Sequence, residues 1–234
     1  MAIDLPKGKR LKDLRRRTAR VARDLRKRFG PIPRPAREDP LESLVWTILS
    51  QNTNDLNSER AWRGLRRAFR TWTSMLEAPV GAIARAIRVG GLAKQKSRTI
   101  KDFLRWVKRT YGRLSLDAMH AMTPEEAVRV LTRHKGIGLK TVYVTLLFAC
   151  GKDVFPVDTH IYRIVRRLAL APERFSRDRV TEWMQTLVPE GKAYELHLHL
   201  IRFGREVCKA QHPLCRDCPF RHICVYPDKN LSPR

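Results

Sequence analysis

Four of the chain's five cysteines fall within one short segment near the C-terminus, CKAQHPLCRDCPFRHIC. Cys208, Cys215, Cys218 and Cys224 follow the spacing C-x6-C-x2-C-x5-C. The segment is polar and carries Pro213 and Pro219, which suits neither a buried helix nor a strand. Four thiols held this close either bind metal or stand as mutually repelling anions or reactive thiols. Coordination by four thiolates suits zinc or an iron–sulfur cluster. Structural zinc sites usually pair two CxxC knuckles across a longer gap, whereas here one CxxC is flanked by single cysteines. That asymmetric wrap fits a cubane, whose irons occupy separate corners, although spacing alone leaves zinc open. The fifth cysteine, Cys150, sits in an apolar stretch and reads as a small buried hydrophobe.

Charge narrows the partner. Lys and Arg number 48 against 23 Asp and Glu, a formal net charge of +25. Such an excess repels itself in a compact chain, and a polyanionic partner is its natural explanation. A membrane fits poorly, because no apolar run approaches the roughly 18 residues that a spanning helix needs. The N-terminal stretch MAIDLPKGKRLKDLRRR has no apolar core and no cleavage site, so it does not read as a secretory signal. A cytoplasmic chain is expected, and cysteines in a reducing compartment point to metal or catalysis rather than disulfides.

The chain reads as all-α. Residues 11–29 form a basic helical segment ending at Gly30, followed by a stiff stretch with Pro31, Pro33 and Pro35. Leu41, Leu44, Val45, Ile48 and Leu49 recur at helical spacing, as do Ile100, Phe103, Leu104, Val107 and Tyr111. Thr123-Pro124-Glu125-Glu126 carries a capping box with proline in the first turn. Val142 to Cys150 reads as a buried helix, and no alternating strand stands out.

Two short segments carry candidate chemistry. In HKGIGLKTV, residues 134–142, Gly136-Ile137-Gly138 lies between helical stretches. Two glycines around an apolar residue permit a tight turn with outward N–H groups at a helix N-terminus, able to hold a phosphate without reading sequence. A GxG alone is more often a plain helix–helix turn. Lys140 falls in the first turn of the next helix, where the dipole disfavours an ammonium. An accessible neutral amine there would be a nucleophile; a phosphate-binding or solvated lysine is the plainer alternative. In PVDTHIYRI, Asp158 precedes an apolar-periodic stretch. It reads as an N-cap, and also as a carboxylate able to stabilise a cationic sugar transition state. His197 and His199, two apart on a helical stretch, point in different directions and read as structural.

GIGLKTV, VDTHIYRI and the cysteine segment, in this order and spacing, resemble the endonuclease III family of helix–hairpin–helix DNA glycosylases. The similarity runs from about Leu41 to Tyr226. It implies a bilobed all-α fold: a six-helix barrel with the hairpin at 33–153, and a [4Fe–4S] cluster domain joining 1–32 to 154–234. Duplex DNA containing damaged bases or abasic sites would lie across the groove between lobes, bound by a monomer, with the damaged base flipped out. Carried over by position, Lys140 matches the family's lysine nucleophile and Asp158 its aspartate. The four clustered cysteines match the cluster ligands. Leu49-Ser50-Gln51-Asn52-Thr53-Asn54-Asp55 matches the loop that fills the gap left by the flipped base, with Gln51 and Asn52 as wedge candidates. GGLAKQKS, residues 90–97, resembles a second backbone-binding turn, with Lys96 as a phosphate contact. Gly136, Ile137 and Gly138 would hold a phosphate. Arg216 and Arg221 lie between cluster cysteines and would present charge to DNA.

The chain departs from the family pattern at His134-Lys135, where Leu-Pro is common, and at Leu139, where Arg is usual. Lysine at 140 argues against the adenine-glycosylase and thymine-mismatch branches. The implied activity is excision of oxidised pyrimidines followed by nicking of the abasic site. The alternatives are a relative with another lesion range and a non-catalytic DNA-binding protein.

Overall fold

The computed structural model describes residues 8–36 and 38–231, so the N-terminal stretch read above for a signal begins outside them. Among the described residues all regular structure is helical. The chain divides into two compact units, Met1–Ala36 with Asp153–Arg234, and Arg37–Lys152.

The first unit opens with α1 (Lys9–Phe29), which turns Leu14, Thr18, Val21 and Leu25 inward at spacings of three and four. It ends at Gly30, whose φ of 81° is open to glycine. The opposite face is strongly basic: Lys12, Arg16, Arg20, Arg23 and Lys27 are all exposed.

The second unit runs through α2 (Pro40–Leu49), α3 (Asp55–Ala68), α4 (Trp72–Glu77), α5 (Val80–Ala86), α6 (Ala93–Tyr111), α7 (Pro124–Leu131) and α8 (Leu139–Phe148). Its core is the pairing of α2 with α8. Leu41, Leu44, Val45, Ile48 and Leu49 of α2 are fully buried, as are Val142, Leu146 and Leu147 of α8. A helix apolar on all sides is stable only inside such a bundle. The Thr123–Glu126 capping box forms as read from the sequence, fixing the start of α7.

The chain then re-enters the first unit through α9 (Thr159–Arg167), α10 (Arg177–Gln185) and α11 (Ala193–Glu206). Helix α11 packs on both α1 and α9. Its crossing with α9 is close, since a Cβ on Gly204 would lie 2.8 Å from the His160 Cβ. His197 and His199 diverge as expected. One ring bonds Pro156 O at 3.0 Å and the other Gly30 O at 2.9 Å, each fastening a segment to α11.

Candidate functional site

The hairpin of the second unit is built on α6. The Ile137 N–H donates to His134 O at 3.0 Å, closing the turn, and the Ile137 side chain is buried. Ile137 therefore anchors the turn, and neither its side chain nor its N–H remains to meet a phosphate; the sequence expectation is corrected here. Gly136 has φ 89°, and a Cβ on it would stand 2.6 Å from Thr99 Oγ1. Gly138 differs. It is the N-cap of α8 in extended backbone, offers no side-chain cap, and a Cβ on it would meet nothing within 4 Å. A bare backbone at a helix N-terminus leaves room for a phosphate oxygen.

The two glycines separate stability from binding. Gly136→Ala is expected to destabilise the protein by about 1–3 kcal/mol, from strain and collision. Gly138→Ala is expected to move stability by less than about 0.5 kcal/mol while weakening duplex affinity, because its methyl occupies the approach to the backbone. Thermal melts alongside fluorescence-anisotropy titrations with duplex DNA check both; equal behaviour of the two variants would contradict the assignment.

The family-atypical His134 is explained by its surroundings. Its ring lies 4.4 Å from Trp106 and 5.4 Å from Phe103, centroid to centroid. Burial, and then the Arg109 charge, push its pKa down, so a neutral imidazole fills an aromatic niche in the place of an apolar side chain.

Lys140 is half-buried in the first turn of α8, immediately behind Gly138. Asp158, on the first unit, caps α9: Oδ1 accepts from Ile161 N at 2.8 Å. Farther along α9, Arg163 donates to Cys208 O through Nε and Nη2, at 3.0 and 2.8 Å, and to Gly204 O at 2.9 Å. Arg167 reaches Cys208 Sγ at 3.5 Å and Lys209 O at 2.8 Å. The helix capped by Asp158 is thus fastened to the cysteine segment.

All four clustered cysteines line a single cavity with Ile164, Leu168, Phe203 and Arg221. Among the described residues no three His, Cys, Asp or Glu side chains converge on one point closely enough to hold a single ion. Burial, with the other three cysteines adding to it, pushes the Cys218 thiol up to about 11. Arg216 and Arg221 are both exposed, and Arg221 is braced by the Arg216 carbonyl at 3.2 Å.

The loop after α2 separates the two wedge candidates. Gln51 is half-buried, and its amide donates to Gly136 O at 3.0 Å and to Thr141 Oγ1 at 3.2 Å. It is a strut from loop to hairpin, not a free wedge. Asn52 is exposed, with φ 50°. Lys96 is a second correction. It is 2% exposed, and its ammonium donates to Leu49 O at 2.7 Å and Gly90 O at 2.8 Å. A group so enclosed cannot also meet a phosphate; Lys94 and Arg98 are the exposed charges of that turn. Sequence reasoning missed Leu92, which is 49% exposed with φ 48° at the N-cap of α6. A non-glycine residue held at positive φ with an apolar side chain in solvent is a candidate functional position. Only the preceding Gly90-Gly91 pair hinted at it.

Residues 45–190 match the HhH-GPD superfamily of base excision DNA repair proteins. The chain is 31% identical to endonuclease III of Thermotoga maritima, across 88% of this chain and 91% of that protein. It is 34% identical to a protein of Arabidopsis thaliana described provisionally as a DNA glycosylase, across 77% of this chain but 59% of the plant protein's length. Among solved structures it superposes on a trapped covalent intermediate of endonuclease III with DNA, with a TM-score of 0.78 at 25% identity, covering 90% of this chain and 95% of that one. A thermostable thymine-DNA glycosylase matches in fold, with a TM-score of 0.73 at 23% identity, covering 92% and 97% of the two chains.

Proposed function

The chain belongs to the HhH-GPD superfamily of base excision DNA repair proteins, as a DNA glycosylase of the endonuclease III kind, and from that footing we propose that it removes oxidised pyrimidines from duplex DNA and nicks the resulting abasic site through a lysine Schiff base. The observation that carries the reading is Lys140, an amine in the first turn of α8, two residues beyond the bare Gly138 backbone. A phosphate held at Gly138 brings the adjoining sugar toward that amine.

The Lys140 amine attacks C1′ as the glycosidic bond breaks. The base leaves with the bonding pair and takes up a proton. The sugar ring opens to the protonated Schiff base. Loss of a C2′ proton then expels the 3′-phosphate and cuts the strand. Asp158 supplies negative charge while the sugar is oxocarbenium-like. Asn52 fills the space vacated by the flipped nucleotide, and Leu92 presents an apolar wedge to the stack.

Cys208, Cys215, Cys218 and Cys224 are proposed as the ligands of a [4Fe–4S] cluster. The fit is supported by four thiols around one cavity, a donor set of the kind that holds an iron–sulfur cluster. The core of such a cluster would offset part of the thiolate charge and would cross-link, at four points, the segment carrying Arg216 and Arg221. The basic face of α1 adds affinity for phosphates without sequence preference.

A panel of end-labelled duplexes tests the substrate. Cutting is expected at thymine glycol and at an abasic site, with undamaged and mismatched duplexes left intact. Cutting confined to abasic sites would remove the oxidised-pyrimidine assignment.

A further inference from the structure

We propose that Lys96 is a positioning residue that sets the spacing of Asn52 and Leu92, the two prongs that hold the duplex open around an extruded nucleotide; the proposal rests on the DNA-repair reading above. Among the described residues of the second unit, two non-glycine residues stand at positive φ, Asn52 and Leu92. Each lies just beyond a carbonyl gripped by the same ammonium. Leu49 O is three residues before Asn52, and Gly90 O is two before Leu92.

Both carbonyls end helical turns. Leu49 closes α2, and Gly90 closes the short 3-10 turn Arg88–Gly90. Helix C-termini present partial negative charge, so a cation between two of them is favoured and draws them together. The bases of the two loops are already in contact. A Cβ on Gly90 would lie 2.9 Å from the Ala61 Cβ and 3.9 Å from Leu49 O. Among the described residues no carboxylate pairs with Lys96. Burial pushes its pKa down, the mark of an ammonium that has given up water for two carbonyls. An apolar side chain would fill this volume without a buried charge. What the ammonium adds is a direct tie between the carbonyls at the two loop bases, each two or three residues from a residue at positive φ.

The consequence is specific to double-stranded substrate. Prongs that hold a duplex open have nothing to do on a single strand, whereas Lys140 and Asp158 act on both. The test compares nicking of an abasic site in duplex and in single-stranded oligonucleotides by wild type, Lys96→Met and Lys96→Gln. Glutamine replaces the ammonium with a neutral amide NH2 and is the milder variant should methionine prevent folding. The duplex-to-single-strand rate ratio is expected to fall by tenfold or more. Leu92→Ala, an exposed change, is expected to lower the same ratio. 2-Aminopurine beside the abasic site is expected to brighten less on binding of either Lys96 variant. Equal losses on both substrates, or an unchanged ratio in a folded variant, would overturn the proposal. If wild type nicks neither substrate, the lyase reading fails instead, and the 2-aminopurine signal of bound duplex still decides the role of Lys96.

Discussion

Replacing Lys140 with alanine is expected to abolish borohydride trapping on duplex DNA carrying thymine glycol or an abasic site. Borohydride reduces the Schiff base to a stable secondary amine, so the adduct reports a lysine joined to C1′. Without the amine there is no covalent intermediate, and nicking is expected to fall by on the order of 10³-fold or more. Lys140→Arg is expected to fail almost as completely, because a guanidinium stays protonated and does not attack carbon. The protein itself is expected to remain folded and to bind DNA. Lys140 is half-buried in the first turn of α8, and alanine is favourable in a helix. The phosphate contact proposed at Gly138 is backbone, so a gel shift on abasic duplex is expected to move by only a few-fold. An adduct that persists at wild-type level in Lys140→Ala would place the nucleophile elsewhere and remove the central assignment.

The fold was legible because its helices announce themselves locally. The apolar spacing of Leu41 to Leu49, the Thr123–Glu126 box and the glycine after Phe29 each set an element by short-range physics. The N-cap at Asp158 was legible for the same reason. What could not be read was the direction in which a polar side chain points. Lys96 and Lys94 are both basic residues of one turn, yet one is enclosed by two carbonyls and the other meets water. Gln51 and Asn52 are adjacent amides, and only the contact with Gly136, 85 residues distant, distinguishes strut from prong. Ile137 was singled out for its backbone, but the turn consumed that N–H internally. Leu92 carries no signal of its own beyond the Gly90-Gly91 pair before it, because an exposed leucine is indistinguishable in sequence from a buried one. Contacts of this kind are fixed by tertiary packing, which no local pattern encodes.

Asp158→Asn separates the structural and chemical roles of one carboxylate. Asparagine caps helices about as well as aspartate, and its side-chain oxygen can still accept the Ile161 N–H that Asp158 holds at 2.8 Å. The melting temperature is therefore expected to stay close to wild type, within about 1 kcal/mol of stability, and α9 keeps its attachment to Cys208 through Arg163. The negative charge alone is lost. Base excision passes through a cationic sugar, so excision from thymine glycol duplex is expected to fall by about 10²- to 10⁴-fold at unchanged affinity. Nicking of a preformed abasic site is expected to suffer less, since no base has to be expelled and the oxocarbenium-like step is bypassed. Asp158→Ala is the control that removes both roles; it is expected to lose the same excision and about 1 kcal/mol of stability besides. If Asp158→Asn instead loses binding and excision in equal measure together with its melting temperature, Asp158 is a helix cap and the charge that stabilises the sugar lies on another residue. If excision survives the loss of charge, the amine at Lys140 expels the base without a carboxylate's help.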